Sequence, residues 1–254
     1  MKSVAGLESI DGVLLDGLEF CKFAYEKLEA IHAEAGGTEE LRLLKSQRAK
    51  KLLEEVLPIA SFVKARYGPG IKIRVRWRGG NQRYDARLLF SGAAVDAKGI
   101  PTVQHLEITS AVHPNDYLAR GHLSRDGGSF GARGTTRDPI TKRTVSVPVL
   151  RRHLDNEREL VGMVRNRIEA KNRLPYPRNT TLVVRFVAPS LVVQDEWDRA
   201  VQWLSAEPHP SRFVEVVLVE SGGNRVATIS RRPRRSSRSA RGKAPSNRVH
   251  NRTQ

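Results

Sequence analysis

The stretch IKIRVRWR, residues 71–78, decides the fold of this chain, because apolar and basic residues alternate along its whole length. A period of two places alternate side chains on opposite faces of a β-strand. Gly79-Gly80-Asn81 then predicts a turn into a second strand at about 83–90, and a loop leads to a third strand at about 102–110. We expect these three strands to form an antiparallel meander.

The residues before this stretch follow a helical period instead. Apolar residues recur at helical spacing over 7–34, and Gly36-Gly37 ends that segment. Thr38 offers an N-cap for a long second helix, whose apolar positions run over 41–63. Pro58 lies inside this helix and predicts a kink or a break there, because proline lacks an N–H and clashes with the preceding turn.

Beyond the meander, a glycine- and arginine-rich segment at 113–145 predicts a flexible loop. The pattern then predicts a long helix over 154–171, a continuous apolar strand at 180–187, a short helix around 195–205 and a strand at 213–219. This order of elements favours an α/β fold, with a central mixed β-sheet flanked by helices.

The chain divides into three parts on composition. We expect an N-terminal helical segment at 1–37, an α/β domain at 38–229 with one core, and a disordered basic tail at 230–254. The tail contains nine basic residues and no acidic residue. Such tails bind phosphate groups without reading sequence.

The formal net charge is +17, from 44 Lys and Arg against 27 Asp and Glu. A surplus of this size attracts polyanions, so nucleic acid is the expected partner, with DNA favoured over RNA. The alternatives are a charge that only aids solubility, or binding to acidic lipid. We also consider a homodimer formed through the N-terminal helical segment.

The cellular setting is constrained by cysteine and hydropathy. Cys21 is the only cysteine, which excludes an internal disulfide and a multi-cysteine zinc site and favours a reducing compartment. The apolar runs are too short to span a bilayer, and early acidic residues interrupt the pattern of a signal peptide. We therefore expect a cytoplasmic protein that does not associate with membranes.

The second and third strands contain the candidate metal-binding residues. Asp85 lies on the second strand, and Glu107 and Thr109 share one face of the third, because side chains two apart on a strand point the same way. If these strands pair antiparallel, Asp85 and Glu107 meet on that face. Two carboxylates and a backbone carbonyl form a hard-oxygen site suited to Mg²⁺ or Mn²⁺.

This order of a helix, a strand, an Asp-bearing strand, a Glu-x-Thr strand, a long helix and an apolar strand resembles the restriction-endonuclease-like superfamily, whose motif is PD-(D/E)xK. The similarity covers roughly residues 39–220. It implies that Asp85 and Glu107 hold a metal ion with the Ile108 carbonyl as a third ligand, and that the protein hydrolyses the phosphodiester bonds of nucleic acid.

The chain departs from the motif at two positions. Tyr84 replaces the proline that precedes the aspartate, and Thr109 replaces the lysine. The lysine matters more, because an ammonium group there stabilises negative charge at the phosphate. Lys171 falls on the apolar stripe of the long helix. The resemblance to members with a lysine on this helix implies that Lys171 substitutes for it.

Structural interpretations of the same residues stay open. Asp85 near a turn can be a surface residue, Glu107 can pair with Arg87 or Arg76 across the sheet, and Lys171 can extend from the helix edge into solvent. His105 is expected to be a hydrogen-bonded neighbour rather than a metal ligand.

Two further groups of residues complete the candidates. Some superfamily members place another acid on the first helix, which makes Glu54 and Glu55 weaker candidates, although solvent-facing positions are favoured for both. The arginines expected to contact a nucleic-acid backbone lie on the first strand, in the loop and in the tail: Arg74, Arg76, Arg120, Arg125, Arg133, Arg231, Arg232, Arg234 and Arg235.

Three functions therefore remain. The first is a Mg²⁺-dependent nuclease. The second is a non-catalytic nucleic-acid-binding protein on a degenerate nuclease fold, in which loss of the motif lysine means loss of chemistry. The third is an interaction or assembly protein that docks its basic tail on anionic surfaces.

Overall fold

The computed structural model describes residues 6–80, 82–186, 194–206, 212–222 and 225–231. The strands are β1 (Leu14–Asp16), β2 (Lys72–Trp77), β3 (Ala86–Ser91), β4 (Val103–Ala111), β5 (Thr135–Arg137), β6 (Thr144–Ser146), β7 (Thr180–Phe186), β8 (Glu215–Glu220) and β9 (Val226–Arg231). Seven of these form one mixed sheet in the order β1-β2-β3-β4-β7-β8-β9. Strands β4, β7 and β8 run parallel, and the other neighbours are antiparallel. The predicted α/β class, the mixed sheet and the β2–β3–β4 meander are confirmed.

Helices cover both faces of this sheet. They are α1 (Gly17–Ala33), α2 (Gly37–Leu43), α3 (Gln47–Lys51), α4 (Leu57–Arg66), α5 (Ala93–Ala97), α6 (Asp116–Asp126), α7 (Gly131–Gly134), α8 (His153–Asn172) and α9 (Gln194–Ala206), together with a 3-10 turn at Leu7–Ile10 and a π-helical turn at Leu52–Val56. Helices α1 and α4 pack on one face, and α8 and α9 pack on the other.

The alternation of strand side chains divides the buried residues into two hydrophobic layers. In β8, Val217 and Val219 join the first layer with α1 and α4, whereas Val216 and Leu218 join the second layer with α8 and α9. Every residue of β7 is buried, as predicted for an apolar strand covered on both faces. The single core expected from chain length is therefore divided in two by the sheet.

The helix predicted over 7–34 is wrong in its first part. Leu7–Ile10 is a 3-10 turn, and Leu14–Asp16 pairs with β2 as the edge strand β1. Asp16 then starts α1 with a capping box, in which Glu19 reaches back to the Asp16 N–H. All of these elements bury apolar residues in the first layer, which is why their sequence imitated one helix.

The long helix predicted from Thr38 is interrupted. Gly36, with a left-handed φ of +75°, occupies the N-cap position in place of Thr38. Leu44 adopts φ +53° and ends α2, and Ser46 caps α3 by accepting the Ala49 N–H. The apolar spacing did not reveal this break, because the helices on both sides face the same hydrophobic layer.

Pro58 causes a local widening of the helix rather than its end. The turn Leu52–Val56 is π-helical, with the Leu57 N–H donating to the Leu52 carbonyl, and α4 continues to Arg66. Proline has no N–H to donate to the Glu54 carbonyl, and a wider turn keeps the ring clear of that carbonyl. The helix is therefore not broken at Pro58, and a π-helical turn precedes the proline.

The segment predicted as a loop at 113–145 has regular secondary structure, so the loop prediction is wrong, while its flexibility stays a prediction. This segment contains α6, α7 and the β5–β6 hairpin. Polar contacts order it: the Thr135 and Ser146 hydroxyls lie 2.9 Å apart, and Arg133 donates to Glu159 of α8 at 2.5 Å. Such contacts leave no hydrophobic periodicity in the sequence.

The sequence pattern did not predict helix α5 or strand β9. Strand β9 includes Ser230 and Arg231, the first two residues assigned to the tail. The tail beyond Arg231 lies outside the described residues.

The N-terminal segment shares the first hydrophobic layer with the α/β domain, through Phe20 and Ile31 of α1. Among the helices described, none has the length and apolar character needed to cross a bilayer.

Candidate active site

The sheet has a gap beside β4, and Asp85 fills it. Pairing of β3 with β4 ends at Ala86 opposite Leu106, while β4 continues to Ala111. The Asp85 N–H donates to the Leu106 carbonyl at 2.8 Å, and its carboxylate Oδ2 accepts the Ile108 N–H at 2.6 Å. A side-chain carboxylate thus stands where the next backbone carbonyl of β3 would be.

The Ile108 carbonyl lies at the same gap. The N–H and C=O of one strand residue point toward the same neighbouring strand, so the Ile108 carbonyl is directed to the side on which its N–H meets Asp85. On that side, no strand in the described part of the chain pairs with Ile108. The backbone oxygen expected as a third metal ligand is therefore beside the Asp85 carboxylate.

Glu107 faces the second hydrophobic layer, as predicted, while Leu106 and Ile108 belong to the first. It is 7% exposed, and the Lys171 ammonium donates to its Oε1 at 2.5 Å. Lys171 lies in the last turn of α8 and reaches the sheet from there. The sequence thus placed Lys171 correctly beside Glu107, and the arginine pairs considered for Glu107 are not formed within the described chain.

The Asp85 carboxyl is buried and lies near other negative charges. Burial raises the pKa of its carboxyl to about 7, and the negative charges of Glu107 and then Glu55 add to the shift. The Ile108 N–H and the Lys171 charge oppose it. Asp85 is therefore not an ordinary surface residue.

Glu55 brings a third carboxylate to this region. It lies in the π-helical turn that packs against β4, and its Oε2 accepts the Trp77 indole N–H at 3.1 Å. Burial raises the pKa of Glu55. The preceding Glu54 interacts with the buried Arg185 instead. The favoured solvent-facing position for Glu55 is thus wrong.

Tyr176, just beyond α8, adds a hydroxyl group to the site. The hydroxyl is buried beside Glu107, and no described atom meets strict hydrogen-bond geometry with it. Burial raises the tyrosine pKa, and the charge of Glu107 and its attraction for the hydroxyl proton raise this pKa further. The ring packs against Phe213 with centroids 5.1 Å apart. A hydroxyl group therefore lies next to the acidic pair.

The carboxylates are close but not clustered tightly. Within the described residues, the one group of three or more candidate ligands whose atoms all lie within 4.8 Å of one another is His153, Glu157 and Glu196. Glu55, Asp85 and Glu107 are therefore spaced more widely than that group.

His105 is a hydrogen-bonded neighbour, as expected. Its Nδ1 lies 3.3 Å from the Arg178 carbonyl, and its ring contacts Tyr84 with centroids 4.6 Å apart. Burial lowers its pKa, and the charge of Arg87 lowers it further. Thr109 lies on the same face of β4 as Glu107, two residues further along.

The arginines predicted to contact nucleic acid differ in exposure and in their internal ion pairs. Arg74 and Arg125 are exposed and Arg76 is half-buried. Arg120 and Arg133 take part in internal ion pairs, with Asp116 and Glu159 respectively. Arg231 ends β9, and its side chain is not among those described; Arg232, Arg234 and Arg235 lie outside the described residues.

The comparisons with known proteins give no match: no family model matches the chain, no curated protein matches its sequence, and no solved structure matches its fold. The site must therefore be interpreted from its own geometry. Sequence reasoning missed Tyr176, ranked Glu55 too low, and considered Arg87 only as a partner for Glu107. The π-helical turn preceding Pro58 is what brings Glu55 here, and no short motif encodes it.

Proposed function

We propose that this protein hydrolyses phosphodiester bonds of nucleic acid with the help of a divalent cation, and that its fold is a divergent version of the restriction-endonuclease-like fold. The observation that supports this most strongly is the position of Asp85. Its carboxylate fills a gap in the sheet beside Glu107, with a pKa near 7. Perturbed acids of this kind are typical of functional sites.

The oxygen atoms at the gap fit Mg²⁺ or Mn²⁺. The carboxylates of Asp85 and Glu107 and the carbonyl of Ile108 are hard ligands, and Glu55 lies close by as a further acid. A bound divalent cation would supply an activated water and neutralise charge on the phosphate. It would also relieve the repulsion that raises the pKa of Asp85.

The protein's own groups have distinct roles in this proposal. Asp85 must lose its proton before it binds a cation, so activity rises as pH increases through about 7. Lys171 is the one ammonium group that hydrogen bonds to Glu107 in the described chain. Once a cation balances Glu107, this ammonium can donate to a phosphate oxygen, the role that Thr109 cannot take.

A non-catalytic nucleic-acid-binding protein is the second candidate, and one observation favours it. The Lys171–Glu107 ion pair already compensates Glu107 without a metal ion. If this pair persists in the presence of Mg²⁺, the protein binds nucleic acid without cutting it. An assembly protein with a basic tail remains the third proposal, and it predicts no binding to nucleic acid at low salt.

The test is a cleavage assay on the full chain. The purified protein is incubated with single-stranded DNA, double-stranded DNA and RNA, in Mg²⁺, Mn²⁺ or EDTA. We expect cleavage of DNA that requires the cation and that falls about a hundredfold or more in Asp85→Asn and in Glu107→Gln.

The matched control is Glu169→Gln, which removes an exposed acid from the same helix as Lys171. It should cleave as the wild type does. Cleavage that is equal in all four proteins would point to a contaminating nuclease. Binding without cleavage under every condition would establish the second candidate.

A further inference from the structure

We infer that Arg76 and Arg87 together form a binding site for a backbone phosphate of nucleic acid, on the open face of β2 and β3 next to the acidic gap. This inference deepens the proposed function and rests on it for the identity of the polymer. The pairing of the two arginines follows from strand register and does not depend on the proposed function.

The register of the sheet brings the two arginines together. Arg76 on β2 lies directly opposite Arg87 on β3, and Arg87 lies directly opposite His105 on β4. Their neighbours Val75 and Leu88 are buried in the first hydrophobic layer, so the arginines point to the other face. Two arginines and a histidine thus form a row across three strands.

That face of β2 and β3 is open. Lys72 and Arg74 are exposed along β2, and Arg76, Arg87 and Leu89 are only half-buried. Helix α8, which covers the same face further along the sheet, packs against β4 and β7. A ligand therefore has access to the arginine row from solvent.

The two guanidinium groups lack compensation. Like charges directly opposite each other on neighbouring strands repel. The Nε atoms of both arginines are buried, and neither has a hydrogen-bond partner within the described residues. An unsatisfied buried donor destabilises the folded state, so the arrangement is unfavourable until an acceptor is present.

Acids among the described residues do not fill this need. Asp16 lies opposite Arg74, but it caps helix α1. Glu107 is held by Lys171, and no ion pair of Arg76 or Arg87 with any acid occurs in the described part of the chain. An external anion with several acceptor oxygens is therefore the missing partner, and arginine matches phosphate in geometry and charge.

The position of the row identifies a polymer rather than a free ion. The next row along the sheet contains Asp85, whose backbone carbonyl accepts the Arg78 N–H, and Glu107. Two residues along a strand correspond to about 6.7 Å. This separation resembles that between neighbouring phosphates of one nucleic-acid strand, so a chain held at the arginines reaches the acidic gap with its next phosphate.

The experiment measures binding without cleavage. Affinity of the full chain for a fluorescent single-stranded oligonucleotide and for its duplex is measured in EDTA over a range of salt concentrations. We expect the double variant Arg76→Gln/Arg87→Gln to bind about tenfold more weakly or worse, with a shallower dependence on salt.

The control is the double variant Arg158→Gln/Arg167→Gln, which removes the same charge from exposed positions on α8 and keeps the tail. Its affinity should stay near that of the wild type. Equal weakening of both double variants would show that only net charge matters and would overturn the inference. Displacement of the oligonucleotide by inorganic phosphate at constant ionic strength would also overturn it, in favour of a free anion as ligand.

Failure of the inference and failure of the proposed function are distinguishable. If the arginine variant loses binding but the wild type never cleaves in Mg²⁺, the phosphate site stands and the nuclease does not. If cleavage depends on Asp85 while the arginine variant binds normally, the nuclease stands and the phosphate site does not.

Discussion

Two acidic clusters lie at opposite ends of helix α8, and they differ in how their charge is compensated. At the N-terminal end, Glu157 is fully buried and accepts two hydrogen bonds from Arg199, at 2.7 and 2.8 Å. These bonds lower the pKa of Glu157. At the C-terminal end, Lys171 donates to Glu107 beside Asp85, whose pKa burial raises to about 7.

The difference separates an acid with a structural role from the acids that we propose to be functional. Both oxygens of Glu157 are committed to an arginine, so the group His153, Glu157 and Glu196 connects α8 to α9 even though its atoms lie close enough for a metal. The Asp85 cluster has more negative charge than its neighbours balance. That imbalance contributes to the raised pKa of Asp85, and we propose that it makes the site available to a cation.

The largest expected effect is a loss of stability in Glu157→Gln. A neutral amide cannot replace the charged hydrogen bonds to Arg199, so the free energy of unfolding should fall by about 2 kcal/mol. Urea denaturation measures this change. Cleavage per folded molecule should stay unchanged, and a loss of activity without a loss of stability would mean that this cluster has a functional role.

Asp85→Asn should increase the free energy of unfolding, whereas Glu157→Gln should decrease it. A raised pKa in the folded state means that ionised Asp85 costs stability, and this cost grows as pH rises from about 4 to about 7. The amide can still accept the Ile108 N–H, so the variant should be more stable than the wild type by about 1–2 kcal/mol at pH 8 in EDTA. The gain should shrink toward pH 4, and a gain independent of pH would contradict the assigned cause.

Mg²⁺ should stabilise the wild type in a manner that depends on pH. At a concentration about tenfold above Kd, a bound ion adds about 1.4 kcal/mol to the free energy of unfolding. Below about pH 7 the ion must displace the proton of Asp85, so the increase in Tm should be smaller at pH 6 than at pH 8. The same titration of Asp85→Asn should show little effect at either pH.

The smallest expected effect is that of Tyr176→Phe. Because the tyrosine hydroxyl is buried without a hydrogen-bond partner among the described residues, its removal should change the free energy of unfolding by less than about 1 kcal/mol or increase it slightly. Thermal unfolding of the two proteins at pH 8 measures this. A clear loss of stability would show that the hydroxyl does bond to Glu107.

The pattern of the sequence was sufficient for five of the seven strands of the sheet and for Asp85, Glu107 and Lys171 in the site. Strict alternation over 71–78 identified β2, and the spacing in His105–Thr109 separated Glu107 from the apolar residues on either side of it. The helical stripe that includes Lys171 placed it toward the sheet. Periodicity is local, because it follows from the geometry of one element, and so it can be read without the fold.

Only the tertiary structure decided the remainder, because it depends on where separate elements meet. Glu55, in a π-helical turn, raises the pKa of Asp85 by its charge. Arg76 meets Arg87 through strand register, and Arg199 compensates Glu157 from another helix. Whether an acid is balanced by a cation is settled by contacts between residues far apart in the chain. The sequence by itself determined which carboxylates face the sheet surface, and the packing determined which of them remain uncompensated.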